Sequence, residues 1–207
     1  MQFHHLKSNI TIGDVIDTCD LKNINYDKNK LVSSFLRPSI ATNNDLTFYN
    51  NSRYNKKTKS NFILTTEKFL HEFDNDKKLL ISKNIEADIA KLSHLFYRSK
   101  SKIEILKLDN FKIWSGSCIT ENSNISNAVI IGDNFTIGHY SSIDHNCLIG
   151  NNVNIGNNVC ISNAIIGDNV NISDGVKIGQ PGFGFAYNEN NIITIFHIGR
   201  VIIQDGV

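Results

Sequence analysis

In the second half of the chain, isoleucine recurs every six residues. It stands at positions 113, 119, 125, 131, 137, 143, 149, 155 and 161. The step shortens once, to Ile166, and resumes at Ile172 and Ile178. Two residues before each lies a second column, mostly apolar or small: Val129, Phe135, Ser141, Cys147, Val153, Val159, Ala164, Val170 and Val176. A strand alternates its side chains at period two, so six residues provide one short flat face and one corner. Three such units close a triangular coil, and each isoleucine then stacks on another one coil away. No coil can bury its own column, whereas stacked coils bury it together. Each buried isoleucine contributes about 1.5–3 kcal/mol relative to exposure. The pattern predicts a parallel β-helix.

The polar positions carry the same period. Glycine follows the key isoleucine at 132, 138, 150, 156, 167 and 179. Asparagine stands three residues after it at 134, 152 and 169. Those three asparagines are expected to stack on one corner and to hydrogen-bond along it. Both residue types tolerate the positive φ that corners need. The five-residue step before Ile166 is expected to tighten a corner without breaking the stack. After Gly179 the segment Gln180-Pro181-Gly182-Phe183-Gly184-Phe185-Ala186 abandons the period, which returns at Val201-Ile202-Ile203. An excursion loop over 180–200 is expected, either functional or a packing loop.

The first half has other periods. Ile12, Val15 and Ile16 predict a helix over Ile12–Cys19. Ile85, Ile89, Leu92 and Phe96 predict another over Ile85–Tyr97. A further helix is expected at Glu67–Phe73, and strands at Leu31–Leu36, Asp45–Tyr49, Asn61–Thr65 and Lys77–Ser82. The architecture is therefore mixed: a small α/β domain over 1–108, then an incomplete β-helix over 109–207. Charge thins out at the boundary, near Asp109.

Composition narrows the function. Hydrophobic residues make up 41% and the formal net charge is +1. That supports a folded core and offers no electrostatic footprint for nucleic acid or an anionic membrane. The tract Lys56, Lys57, Lys59 reads as solvated surface. No apolar run suits a signal peptide or a membrane span, so a cytoplasmic protein is expected. Cys19, Cys118, Cys147 and Cys160 form no C-x-x-C pair. They read as buried or half-buried thiols in a reducing compartment. His139 and His145 follow consecutive column isoleucines, so they should diverge on different faces. His197 has no acidic neighbour in sequence. No metal site is expected from this set.

One stretch of the first half carries candidate binding chemistry, Leu46-Thr47-Phe48-Tyr49-Asn50-Asn51-Ser52-Arg53-Tyr54. Aromatic rings can sandwich a nucleobase, and an amide can donate to and accept from a uracil edge. Aromatics near strand ends also serve simply as core.

Taken in order, these features resemble the UDP-3-O-acylglucosamine N-acyltransferase family of lipid A biosynthesis. Thr11-Ile12-Gly13-Asp14-Val15 is similar to its opening helix. Phe48, Asn51 and Tyr54 fit its uridine motif. Gly182-Phe183-Gly184-Phe185-Ala186 and Gly199-Arg200-Val201-Ile202-Ile203 resemble its interruption and its return to the coil. The linker around Lys100–Asp109 is shorter than usual. The resemblance implies a left-handed coil, an exception to the usual crossover hand. It implies that Phe48 and Tyr54 stack on uracil and that Asn51 hydrogen-bonds it. The implied reaction moves a 3-hydroxyacyl group from the phosphopantetheine thioester of acyl carrier protein to the 2-amine of UDP-3-O-acylglucosamine. A histidine acts as general base, no cofactor is bound, and the full-length family assembles as a homotrimer.

The sequence departs from that pattern at its end. Val207 falls inside a repeat, and the family's general-base histidine segment lies further on. No catalytic residue is therefore assigned, and the chain as given is expected to be inactive and aggregation-prone. Two alternatives remain: another hexapeptide-repeat acyltransferase acting on a nucleotide sugar, and a non-catalytic remnant that binds UDP-sugar.

Overall fold

The computed structural model describes residues 5–6, 9–21, 27–51, 58–73, 78–98, 116–126, 129–144, 146–189 and 191–207. Ile113, the boundary near Asp109, the linker, Lys56, Lys57, Arg53, Tyr54 and His145 lie outside the described residues. The chain forms two compact units. One comprises 5–98 together with 183–197, and the other holds the repeats and residues 198–207.

The first unit begins with β1 (His5–Leu6) and α1 (Ile12–Cys19). Its sheet follows as β2 (Leu46–Tyr49), β3 (Phe62–Thr65) and β4 (Lys78–Ile81), all parallel in the order β2-β3-β4. Next come α2 (Ile85–Phe96) and β5 (Tyr97–Arg98), which pairs with β1. Thr11 starts α1 because its hydroxyl accepts from the backbone N–H of Asp14, while Asp14 accepts from the Thr11 N–H at 2.7 Å. Asn84 caps α2 by accepting from Ala87 N–H. Both helices turn their apolar stripes to one core, which holds Ile12, Val15, Leu46, Leu64, Leu80, Leu92 and Phe96.

Two expectations change here. Leu31–Leu36 is not a strand but an extended run with single bridges at Leu31 and Phe35. Its backbone meets the chain at the very start of β2 and not along it: Ser33 N–H donates to the Asn44 carbonyl, Leu46 N–H to Ser34 O and Leu36 N–H to Leu46 O, and Ser34 Oγ donates to Asp45 at 2.7 Å. The run Glu67–Glu72 is a 3-10 helix, whose Phe69 packs on Tyr49.

The repeat unit contains β6 (Cys118–Ile119), β7 (Asn124–Ile125), β8 (Ile130–Ile131), β9 (Thr136–Ile137), β10 (Ser142–Ile143) and β11 (Cys147–Ile149). It continues with β12 (Asn154–Ile155), β13 (Cys160–Ile161), β14 (Ala164–Ile166), β15 (Asn171–Ile172) and β16 (Lys177–Ile178). These strands and the last, Val201–Ile203, build three parallel sheets, each strand pairing with the third one on. The shortened step costs no register, since Ile149 still faces Ile166 and Ile161 still faces Ile178. Isoleucines 125, 131, 137, 143, 149, 155, 161, 166, 172 and 178 are buried in one continuous core. Ser141 fits this column because its hydroxyl donates to Gly156 O and accepts from Val159 N–H.

At the corners, glycine and asparagine divide the work. Asn134, Asn152 and Asn169 have φ of 55°, 56° and 58°. They form the expected ladder, with Asn134 Nδ2 donating to Asn152 Oδ1 at 2.9 Å and Asn152 Nδ2 to Asn169 Oδ1 at 3.0 Å. Of the six glycines that follow isoleucines, Gly179 alone has positive φ. The others are required by closeness: a Cβ on Gly138 would sit 2.7 Å from the Gly156 carbonyl. A second ladder runs beside the first, in which Asp133 N–H donates to Asn151, Asn151 N–H to Asp168, and Asp168 N–H to Asp205.

The excursion contains a β-hairpin, β17 (Phe185–Asn188) and β18 (Asn191–Thr194), followed after 198 by β19 (Val201–Ile203) in the solenoid. Period two governs the hairpin: Ala186 is buried against Ala87 and Ala90 of α2, while Tyr187 points outward. Small residues on both sides let the hairpin approach the helix closely. Asn84 Nδ2 donates to Tyr187 O, His94 Nε2–H to Thr194 O, and Phe196 N–H to Ser93 Oγ. Phe196 stacks on Tyr97 at 6.4 Å.

Replacing Asn152 by alanine removes two ladder bonds and leaves a Cβ residue at positive φ. Urea unfolding should register a loss of about 1–2 kcal/mol, with Asn152→Gly losing less. Burial by itself would raise the Asp45 pKa, but hydrogen bonds from Ser34 and Thr42 outweigh it and hold the carboxyl below its usual range. A depressed carboxylate stabilises the fold above its unfolded pKa, and this contribution fades as pH falls through the lower folded value. The acid limb of a stability–pH curve should therefore be shallower for Asp45→Asn than for the wild type.

Candidate functional site

The three-stranded parallel sheet ends its strands at Tyr49, Thr65 and Ile81. Ligands of open parallel sheets gather beyond the carboxyl ends of the strands. The candidate residues sit at that edge because β2 carries them there. Phe48 is half-buried and lies against the main core, its ring 5.7 Å from that of Phe35. The next residue, Tyr49, faces the opposite side, as strand alternation demands. It is fully buried among Ile63, Phe69 and Phe73, and its hydroxyl donates to Glu72 Oε2 at 2.7 Å. Burial, reinforced by the Glu72 carboxylate, pushes the Tyr49 pKa up to about 12. Tyr49 is thus a structural anchor for β2.

Asn51 is exposed just beyond the strand. Of the three uridine candidates, the structure carries Phe48 and Asn51 on one strand and its continuation. Tyr54 lies outside the described residues. The sequence reading did not single out Asn50. Its Oδ1 is buried without a hydrogen-bond partner, an arrangement that costs about 1–3 kcal/mol when nothing fills it. Continuing the β2 alternation by one residue puts Asn50 on the Phe48 side of the sheet. That alternation was the available signal, since an amide following two core-facing residues of one strand inherits their burial.

The edge is held from both sides. Thr65 Oγ1 donates to the Tyr49 carbonyl, fixing the end of β2 on β3. Ser82 Oγ donates to Asp88 Oδ2 at 2.6 Å, and Lys91 pairs with the other oxygen at 3.1 Å, which ties the end of β4 to the first turns of α2.

Of the histidines singled out in the sequence, His139 and His197 are among the described residues. His139 is exposed at a corner, with Nδ1 3.2 Å from the Glu121 carbonyl oxygen and its N–H donating to Asn157 Oδ1. His197 is exposed, beside Gly184. Among the described residues no three histidine, cysteine or acidic side chains are grouped to hold a metal, and no helix is long and apolar enough to cross a membrane.

The cysteines separate by environment. Cys19 and Cys147 are buried, and burial raises both thiol pKa values, that of Cys147 to about 11. Cys118 is exposed, contrary to the expectation of burial, because its position in β6 points outward from the coil. Cys160 also points outward. Lys177, one coil on, donates to its sulfur at 3.0 Å, and Ser142 hydrogen-bonds it as well, so its pKa is lowered.

Residues 107–182 match the family profile described as GlmU-like, C-terminal hexapeptide. The matched stretch is the repeat segment, less than half of the chain. It identifies a hexapeptide-repeat segment, implies the left hand of the coil, and supports a general kinship with hexapeptide acyltransferases. No curated protein matches the chain.

At neutral pH, iodoacetamide should alkylate Cys160 well ahead of Cys147, because only the thiolate reacts. Lys177→Met should slow labelling of Cys160. Peptide mass spectrometry would read both rates, and equal rates with and without the lysine would contradict the assignment.

Proposed function

We propose that this protein belongs to the machinery that acylates nucleotide-linked amino sugars. In its specific form, the reading is an N-acyltransferase that uses a 3-hydroxyacyl thioester of acyl carrier protein and the 2-amine of UDP-3-O-acylglucosamine. The observation that carries it is the pairing, in one chain, of a hexapeptide coil with a parallel α/β unit whose strand β2 carries Phe48, with Asn51 just beyond its end. In this reading the α/β unit grips the uracil: Phe48 offers a ring face, and Asn51 offers a donor and an acceptor in one side chain. The amine attacks the thioester carbonyl carbon. A C–N bond forms, the C–S bond breaks, and the carrier thiol departs with the proton that a general base removes from the amine. This chain's described residues supply binding in that scheme, and none of them is assigned as the base.

A second reading is favoured by the matched profile itself. A GlmU-like hexapeptide segment supports nucleotide-sugar acyl- or acetyltransfer in general, with a different acyl donor. The two readings differ in donor and agree on the nucleotide.

Calorimetric titration with UMP tests the shared element. UMP should bind and CMP should bind more weakly, since cytosine lacks the N3–H donor of uracil. Phe48→Ala and Asn51→Ala should each weaken UMP by about 1–3 kcal/mol. Because Phe48 also touches the core, Asn51→Ala with an unchanged melting curve is the cleaner result. Undetectable UMP binding by folded protein would end the uridine reading. Transfer from acyl carrier protein thioester, but not from an acetyl thioester, would separate the specific reading from the second.

A further inference from the structure

The three faces of the solenoid bury the same isoleucines and differ in what they turn outward. The face of β8, β11, β14 and β19 turns out aliphatic side chains. The face of β7, β10, β13 and β16 turns out Asn124, Ser142, Cys160 and Lys177, one above the next in register. A thiol and an amine are therefore neighbours on it. Parallel pairing holds their backbones on adjacent rungs, about 4.8 Å apart. Lys177 leans back across that step. Its Nζ donates to the Asn158 carbonyl at 2.7 Å and to Cys160 Sγ at 3.0 Å. Two contacts thus pin the amine against the sulfur instead of leaving it extended in water. Ser142, on the rung at the other side, hydrogen-bonds the sulfur as well. Cys160 is half-buried and Lys177 is exposed, which leaves the pair open to a small solute.

No second thiol competes for Cys160. Cys147 is buried in the solenoid core, Cys118 projects from the face of β6, and Cys19 is buried in the α/β unit. The nucleophile in contact with the sulfur is the amine. We propose that Cys160 and Lys177 are a modification site for peroxide, at which a thiol-reversible sulfur–nitrogen cross-link forms between adjacent coils.

The Cys160 thiolate attacks one oxygen of hydrogen peroxide, and the O–O bond breaks. The departing hydroxide takes a proton from the Lys177 ammonium and leaves as water. A sulfenic acid now stands beside a neutral amine. The amine nitrogen attacks the sulfur, the S–O bond breaks, and hydroxide leaves as water with a proton from the nitrogen. Sulfur has lost two electrons, peroxide has gained them, and the products are one S–N bond and two waters. Lys177 acts twice: it first favours the thiolate, then traps the sulfenic acid before more peroxide carries it to the irreversible sulfinic acid. An added thiol reverses the link by displacing nitrogen from sulfur, and a second thiol frees Cys160 from the mixed disulfide. The proposal is independent of the acyl-transfer reading: either can fail while the other stands.

The test is mass spectrometry of the folded full chain after brief exposure to hydrogen peroxide near neutral pH. Digestion without reductant uses an aspartate-directed protease, which cuts between the two residues at Asp168 and Asp174. The peptides holding Cys160 and Lys177 should travel as one species, lighter by about 2 Da than their sum. Added thiol should separate them and restore both masses. Lys177→Arg keeps a positive charge near the sulfur, but its guanidinium is a poor nucleophile. With an unchanged circular dichroism spectrum, that variant should give no linked species. Dimedone should capture its Cys160 sulfenic acid, and sulfinic acid should accumulate several-fold faster than in the wild type. If the variant does not fold, the wild-type result decides alone. Wild-type Cys160 that oxidises without joining Lys177 would overturn the proposal. So would a link from Cys160 to any other group, or a Cys160 that stays reduced at peroxide levels that oxidise Cys118.

Discussion

Inward isoleucines stacked coil upon coil are the interaction on which the repeat unit depends. Each is covered by the coils above and below and by the inner column of Phe135, Cys147, Val153, Val159, Ala164 and Val170, so burial and strand pairing are gained together. The backbone ladder supplies the spacing and the isoleucines supply the adhesion. The five-residue step survives because the constraint acts on rungs, not on residue count: Ile149 meets Ile166 as squarely as Ile137 meets Ile155.

That stacking dictates the corners. Coils separated by one strand spacing bring corner backbones almost into contact at Gly132, Gly138, Gly150, Gly156 and Gly167, where a Cβ would collide with the next coil, whereas Ser126, Asp144 and Ser162 follow the isoleucines of β7, β10 and β13. The turn itself is made further on, where Asn134, Asn152 and Asn169 accept positive φ and bond to one another. Steric closeness and backbone handedness are separate demands, met by separate residues. The same regularity leaves outward positions free to vary from face to face. One face consequently carries aliphatics, while another brings Lys177 onto the sulfur of Cys160.

The α/β unit works differently. Its parallel strands end at a common edge, and pairs such as Thr65 with Tyr49 and Ser82 with Asp88 hold that edge in place. Tyr49 is spent on anchorage, while Phe48, Asn50 and Asn51 lie at or just beyond the end of β2. The hairpin at 185–194 seats its alanine on the alanines of α2 and is tied by Asn84, Ser93 and His94.

Much of this was legible in the sequence wherever an interaction is periodic or local. The six-residue step determined the coil, the shortened step, the buried columns and the asparagine corner, because each repeat meets a copy of itself. The stripe of Ile12, Val15 and Ile16 predicted α1 over Ile12–Cys19, because amphipathicity acts within a few residues, and the Thr11–Asp14 capping box seen in the structure starts it. Tertiary structure decided what depends on distant partners. Leu31–Leu36 bonds to Asn44 and Leu46 and not along the length of β2, and α2 gave the excursion a surface on which to become a hairpin. The outward column Ile130, Leu148, Ile165, Ile202 emerged only once register was known. Its members are 18, 17 and 37 residues apart, and only the stacking of coils brings such separations onto one line.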